Sequence, residues 1–132
     1  MSTPIRIGLF GAGKIADVQA ASINAHPDAE VVAAKVGITR TYLEAKELFA
    51  DPEVDAVSVA VPNKFHAPYA IGALEGGKHV LLEKPFAMNA GEAQAVIDAA
   101  GKSGKTLTLG MNQRFQPPVL RLRQRIMAGE LG

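Results

Sequence analysis

The sequence predicts an α/β protein built on a doubly wound parallel sheet, and three observations point there. Apolar runs alternate with helical patterns along the chain, the runs are short and rich in branched residues, and a glycine-rich turn joins the first run to the first helix. The first strand is expected over 5–10. A helix follows through Ile15, Val18 and Ile23 to a stop near His26-Pro27. A second strand over 30–34 carries Val31-Val32, a pair suited to burial on both faces. A short helix over 43–50 closes at Asp51-Pro52, and a strand over 54–61 ends at Pro62-Asn63. The next helix spans 67–74 with Gly76-Gly77 as terminator, followed by a strand over 79–82. Asn89-Ala90-Gly91-Glu92 is a capping box opening a helix to about Ser103, and a strand over 106–110 completes the alternation. A last helix opens at Pro118 and stops at Gly129, with Pro inside its start and Gly past its end.

One joint breaks the rhythm. A short strand is also readable over 38–42, yet only Lys35, Val36 and Gly37 separate it from the second strand, and a parallel crossover needs about a dozen residues. Either this part departs from parallel topology or a crossover segment is missing between Ala34 and Lys35. The second reading is preferred.

Composition excludes several classes. The 132 residues are 48% hydrophobic and 20% charged, the profile of one ordinary globular domain. Fourteen Lys and Arg against 13 Asp and Glu leave a formal charge of +1, too little field to steer a nucleic acid, so small molecules are the expected partners. Cysteine is absent, which removes disulfides, thiolate metal sites and Cys nucleophiles and suits a reducing cytoplasm. No secretory leader and no run long enough to span a bilayer is visible, so no membrane is expected.

Ligands of such sheets sit beyond the carboxyl ends of the strands, so the turns there hold the candidate residues. Gly11-Ala12-Gly13-Lys14-Ile15-Ala16 matches G-x-G-x-x-G/A between a strand and a helix, the context that a dinucleotide fingerprint requires. Gly11 permits the tight turn, Gly13 lets a pyrophosphate approach the backbone, and the helix start offers N–H donors and a favourable dipole. The acid that normally follows at the end of the second strand is either truly missing or lost with the missing crossover; Lys35 stands there, and in a continuous chain it and Arg40 read as solvated surface residues or as partners for a 2′-phosphate. Asn63 places an amide at the edge of the third long strand, and His66 reads either as a capping or packing residue or as a ligand-facing one. Lys84, in Glu83-Lys84-Pro85, is aimed at the crevice as a donor to a substrate hydroxyl or carbonyl and a participant in proton transfer. The plain alternative is a strand-ending ion pair between Glu83 and Lys84. Met111-Asn112-Gln113-Arg114-Phe115 adds polar donors at the end of the last strand. Arg121, Arg123 and Arg125 read as solvated and are given no function.

In this order and spacing the motifs, including Asp51-Pro52-Glu53-Val54-Asp55-Ala56 and Gly77-Lys78-His79-Val80, resemble the Gfo/Idh/MocA family of NAD(P)-dependent oxidoreductases over nearly the whole chain. The resemblance implies a Rossmann-type dinucleotide-binding domain over 1–117. A helix over 118–132 would lead into the family's C-terminal α/β substrate domain, absent from this chain. It further implies that Gly11, Gly13, Lys14 and Ile15 cradle the pyrophosphate of NAD or NADP, and that Pro62, Asn63 and His66 line the cofactor's path. Glu83 and Lys84 would lie by the nicotinamide ribose and ring, with Lys84 catalytic, and Asn112 and Arg114 would border the same pocket. The implied function is hydride transfer between nicotinamide and a carbinol or carbonyl carbon of a sugar or cyclitol, in a homo-oligomer formed through the absent domain. The rival reading is a non-catalytic NAD(P)-binding regulatory module. A domain for another nucleotide such as S-adenosylmethionine finds no support in the Glu83-Lys84-Pro85 turn.

Overall fold

The computed structural model describes residues 4–11, 14–27, 29–33 and 40–131. Five strands, β1 (Ile5–Phe10), β2 (Ala29–Ala33), β3 (Ala56–Val59), β4 (His79–Leu82) and β5 (Leu107–Leu109), form one sheet in the order β2-β1-β3-β4-β5. Every pairing is parallel. The helices are α1 (Lys14–Asn24), α2 (Ala45–Ala50), α3 (His66–Glu75), α4 (Ala90–Ser103) and α5 (Pro117–Met127).

Of the strand expected over 38–42, only its last three residues are described. Arg40, Thr41 and Tyr42 are not in a strand, and the chain passes from β2 to β3 through α2, crossing over β1. The rest of the expected strand, with Ala34 and Lys35, lies outside the described residues. The long strands are shorter than expected: β3 keeps only four residues because the chain turns away at Ala60 and Pro62 ends the ladder.

Burial explains the order of the elements. Val57, Ser58 and Val59 of β3 are each fully buried, as the central strand of a sheet covered on both faces requires. Against them pack Ala70, Ala73 and Leu74 of α3, Val80 and Leu82 of β4 and Val96 of α4. Alanines on α3 let the helix approach the sheet closely, and Gly77, at φ +75°, turns the chain sharply into β4. Val18 departs from its expected place in the apolar stripe of α1: it is 64% exposed, while Ala20 is buried.

At α4 the Asn89 side chain accepts from the Glu92 backbone N–H at 2.9 Å. The Glu92 carboxylate reaches back one residue further than the capping box implies, to the Met88 N–H at 3.0 Å.

The amino edge of the sheet is an ionic seam. Arg6 grips Asp55 through its backbone N–H, Nε and Nη2, holding the Asp55 carboxyl below the usual carboxylate range. Lys78 is buried, and its Nζ donates to the carbonyls of Asp51 (2.6 Å) and Val54 (2.8 Å), while burial pushes its ammonium pKa down. Asp51 accepts from Tyr42 at 2.6 Å and from Arg40 at 2.9 Å; the Tyr42 bond comes first in holding its carboxyl low. Arg40 also pairs with Glu53.

Candidate functional site

The register of the sheet aligns the candidate turns. Phe10 pairs with Val59, Val59 with Leu82, and Leu82 with Leu109. The residues that follow each of these, Gly11, Ala60, Glu83 and Gly110, therefore leave the sheet side by side along its carboxyl edge. The strand order reverses direction between β1 and β3, so the Gly11 turn and the Ala60 to Asn63 turn face each other at the topological switch point, where an open α/β sheet offers its crevice.

The Gly11 turn is fixed from both sides. Phe10 anchors it below, stacking edge-on against Tyr69 of α3 at 4.4 Å between ring centroids and lying 6.0 Å from Phe49 of α2. The Phe10 carbonyl accepts from the Ala60 N–H at 2.8 Å, tying the turn to the end of β3. Gly11 adopts φ +126°, and a Cβ built there would stand 2.1 Å from the Ala60 carbonyl oxygen. Only glycine fits this bend, which opens directly onto the N-terminus of α1, whose first N–H groups lack intrahelical partners. Backbone donors and a helix dipole at a turn without a side chain suit a diphosphate. Gly13 and the side chains of Lys14 and Ile15 lie outside the described residues.

Pro62 and Asn63 are exposed on the other side of the switch point, where Asn63 opens a 3-10 turn, Asn63–Phe65. His66 sits behind that wall. Its ring is 1% exposed, with Nδ1 2.6 Å from the Pro85 carbonyl oxygen and Nε2 2.9 Å from the Val61 carbonyl oxygen. The residue expected to line the cofactor's path thus lies between two backbone carbonyls, and its ring links the Val61 turn to the Lys84-Pro85 turn.

Glu83 and Lys84 diverge. The Glu83 carboxylate accepts from Gln19 Nε2 at 2.8 Å and from the Lys84 backbone N–H at 3.3 Å. Lys84 is exposed, and its ammonium makes no ion pair with Glu83 or any other described residue. The plain reading of this tripeptide as an ion pair is thus not what the chain adopts. The backbone enters the turn with the Glu83 N–H bonded to the Val59 carbonyl and leaves it through a cis Lys84-Pro85 peptide, whose Pro85 carbonyl His66 holds. Asn112 and Arg114 lie one strand further along, in a 3-10 turn, Asn112–Phe115, after β5. Arg114 borders an open pocket of about 360 Å³ together with Thr108, Met111 and Arg123.

Arg40 falls on the other side of the molecule. Its partners Asp51 and Glu53 precede β3, so its charge is consumed at the amino edge, away from any dinucleotide in the crevice. Lys35 lies outside the described residues. Among the described residues the shifted titrating groups, Arg40, Tyr42, Asp51, Asp55 and Lys78, all belong to that same edge and mark a structural network.

Two participants escaped the sequence reading. Gln19 of α1 and Ser58 of β3 each interrupt an apolar pattern: Gln19 falls four residues after Ile15 and four before Ile23, and Ser58 lies inside Ala-Val-Ser-Val-Ala-Val. A polar residue on an apolar stripe was the signal that could have found them. Ser58 Oγ donates to Gln19 Oε1, so the Gln19 amide presents its Nε2 to Glu83.

Comparison with known proteins agrees with this geometry. Residues 5–111 match the GFO_IDH_MocA family model, described as an oxidoreductase family with an NAD-binding Rossmann fold. The D-glucoside 3-dehydrogenase of Escherichia coli (strain K12) is 34% identical over 145 aligned positions, which take in 99% of this chain and 41% of that protein. The scyllo-inositol 2-dehydrogenase (NAD(+)) of Bacillus subtilis (strain 168) is 34% identical over 104 positions, covering 79% of this chain and 30% of its own length. An NAD binding oxidoreductase from Klebsiella pneumoniae superimposes with a TM-score of 0.88 at 29% identity, over 98% of this chain and 40% of that one. The chain thus spans well under half the length of each of these proteins.

Proposed function

The chain belongs to the Gfo/Idh/MocA family of oxidoreductases, and from that premise we propose that the protein carrying it moves a hydride between a nicotinamide dinucleotide and a carbinol or carbonyl carbon of a sugar or cyclitol. The observation that carries the reading is the side-by-side exit of the Gly11 turn and the Glu83-Lys84 turn, with the switch-point turn of β3 between them. Backbone amides at the Gly11 turn and the start of α1 would receive the diphosphate, and Pro62 and Asn63 would border its path. Glu83, an acceptor-only carboxylate, suits a ribose hydroxyl. Lys84, whose ammonium has no ion-pair partner among the described residues, would donate to the substrate oxygen and hold or pass on its proton, in the role of catalytic residue. Asn112 and Arg114 would contribute donors at the far side of the pocket.

When bound, the nicotinamide supplies the two-electron chemistry. The pairing of Arg40 at the opposite edge removes one of the two cations that a 2′-phosphate reading relied on, and favours NAD over NADP. Sugar or cyclitol substrates are supported by the names of the glucoside and inositol dehydrogenases it resembles. We assign the substrate-binding part to the length of those relatives that this chain does not span, as an extension from α5.

The test is Lys84→Ala in the protein carrying this chain, with NAD(H) binding measured alongside turnover of sugars and cyclitols. Binding that persists while turnover falls by about 10²-fold or more, the usual range for loss of a general acid or base, supports the assignment. Turnover that survives undiminished overturns it. A wild-type protein that binds NAD(H) and oxidises none of these substrates favours the regulatory module instead.

A further inference from the structure

We infer that Gln19 is a positioning residue for the redox end of the site, holding the Glu83 carboxylate in place through a hydrogen-bonded chain that begins inside the sheet. The inference rests on the reading of Glu83 as a contact of the nicotinamide ribose and goes beyond it, since neither Gln19 nor Ser58 belongs to any motif of the crevice.

The chain of bonds has a fixed direction. Ser58 is fully buried on the central strand β3, and its hydroxyl donates to Gln19 Oε1. The acceptor-only Glu83 carboxylate settles which end of the amide is NH2, and the Ser58 hydroxyl, able to donate or accept, then donates to the oxygen end. The Nε2 end then donates to Glu83 Oε1 at 2.8 Å, while Glu83 Oε2 takes the Lys84 N–H at 3.3 Å. A carboxylate gripped at both oxygens by protein donors points one way, and each oxygen keeps a second lone pair for a ligand hydroxyl. Gly110 shapes the same spot from the β5 side: a Cβ there would come within 3.1 Å of Glu83 Oε1.

Placement gives the chain its consequence. Gln19 lies on α1, the helix whose N-terminus receives the diphosphate in the proposed function, and Glu83 lies two strands away at the end of β4. The amide therefore ties the diphosphate-binding element to the ribose-binding carboxylate, bridging the two ends of one dinucleotide. Its loss should weaken dinucleotide binding more than it slows the chemical step, because Lys84 is held separately through Pro85 and His66.

The experiment uses the protein carrying this chain and three variants, Gln19→Leu, Ser58→Ala and the double variant, with Glu83→Ala as reference. Gln19→Leu leaves a buried hydroxyl without an acceptor, so some loss of stability accompanies it; the double variant removes both polar partners and restores stability. The expected result is a rise of about tenfold in KM for NAD(H) in Gln19→Leu with kcat within about twofold, the loss of one charge-assisted bond being in that range. The same rise should persist in the double variant. Ser58→Ala should raise KM by less, since the amide can still turn toward Glu83. If KM returns to the wild-type value in the double variant, Gln19 acts only through stability and the inference is overturned. It is equally overturned if Glu83→Ala weakens NAD(H) binding and Gln19→Leu does not. If Glu83→Ala leaves NAD(H) binding unchanged, the failure lies with the ribose reading of Glu83, and the inference falls with it.

Discussion

Replacing Gly11 by Ala perturbs the crevice at the point where the backbone is most constrained. The new Cβ would sit 2.1 Å from the Ala60 carbonyl oxygen, short of the 3.4 Å at which ordinary contact begins, in a backbone at φ +126° that L side chains rarely adopt. The unfavourable dihedral alone costs roughly 1–3 kcal/mol. Relieving the contact requires the turn or the end of β3 to move by about an ångström, and the Phe10 to Ala60 hydrogen bond couples the two, so neither moves alone. A shift of about 1 Å in a positioned site is worth about 10²-fold. The variant should therefore lose about a hundredfold in NADH affinity by fluorescence titration and unfold at a lower temperature. Gly101→Ala is the control: a Cβ there meets nothing within 4 Å on helix α4, and it should stabilise by about 0.5–1 kcal/mol with affinity unchanged. A Gly11→Ala protein that binds NADH within twofold of wild type and melts at the same temperature would refute the placement of the diphosphate.

Three other outcomes are expected. His66→Phe keeps the ring volume but removes the imidazole N–H that bonds one of the two carbonyls facing the ring, so chemical denaturation should register a loss of about 1–3 kcal/mol, with turnover reduced through a loosened Lys84 turn. Lys78→Met removes the ammonium that serves two carbonyls at the amino edge; stability should fall by about 2–4 kcal/mol while NADH affinity of the folded protein stays the same, because the seam lies at the opposite end of the strands. Asp51 has its folded-state pKa lowered, first by Tyr42, so it adds stability above its unfolded value of about 4 that disappears as pH falls through the lower folded value. Melting temperatures measured from pH 6 down to pH 2 should drop less steeply in Asp51→Asn than in wild type, and parallel curves would contradict the seam.

The sequence made the framework legible where local and global preferences coincide. Phe10-Gly11, the β4 run into Glu83-Lys84, and Asn89 before α4 are each a local signal with one structural solution, and each lands where expected. What stayed illegible has physical causes. His66 is polar and close to the crevice, and only the three-dimensional path of Pro85 shows the ring lying between two carbonyls. Arg40 reads as an available cation until the chain brings it to Asp51 and Glu53, partners 11 and 13 positions away. Gln19 and Ser58 are 39 positions apart, and no local pattern pairs them.

A crystal structure of the protein carrying this chain with NAD bound tests the central claim most directly. Its diphosphate should rest on the Gly11 turn and the first amides of α1, with the nicotinamide ring beside Lys84 and the ribose on Glu83. A dinucleotide seated elsewhere, or one on the turn whose nicotinamide points away from Lys84, would contradict it.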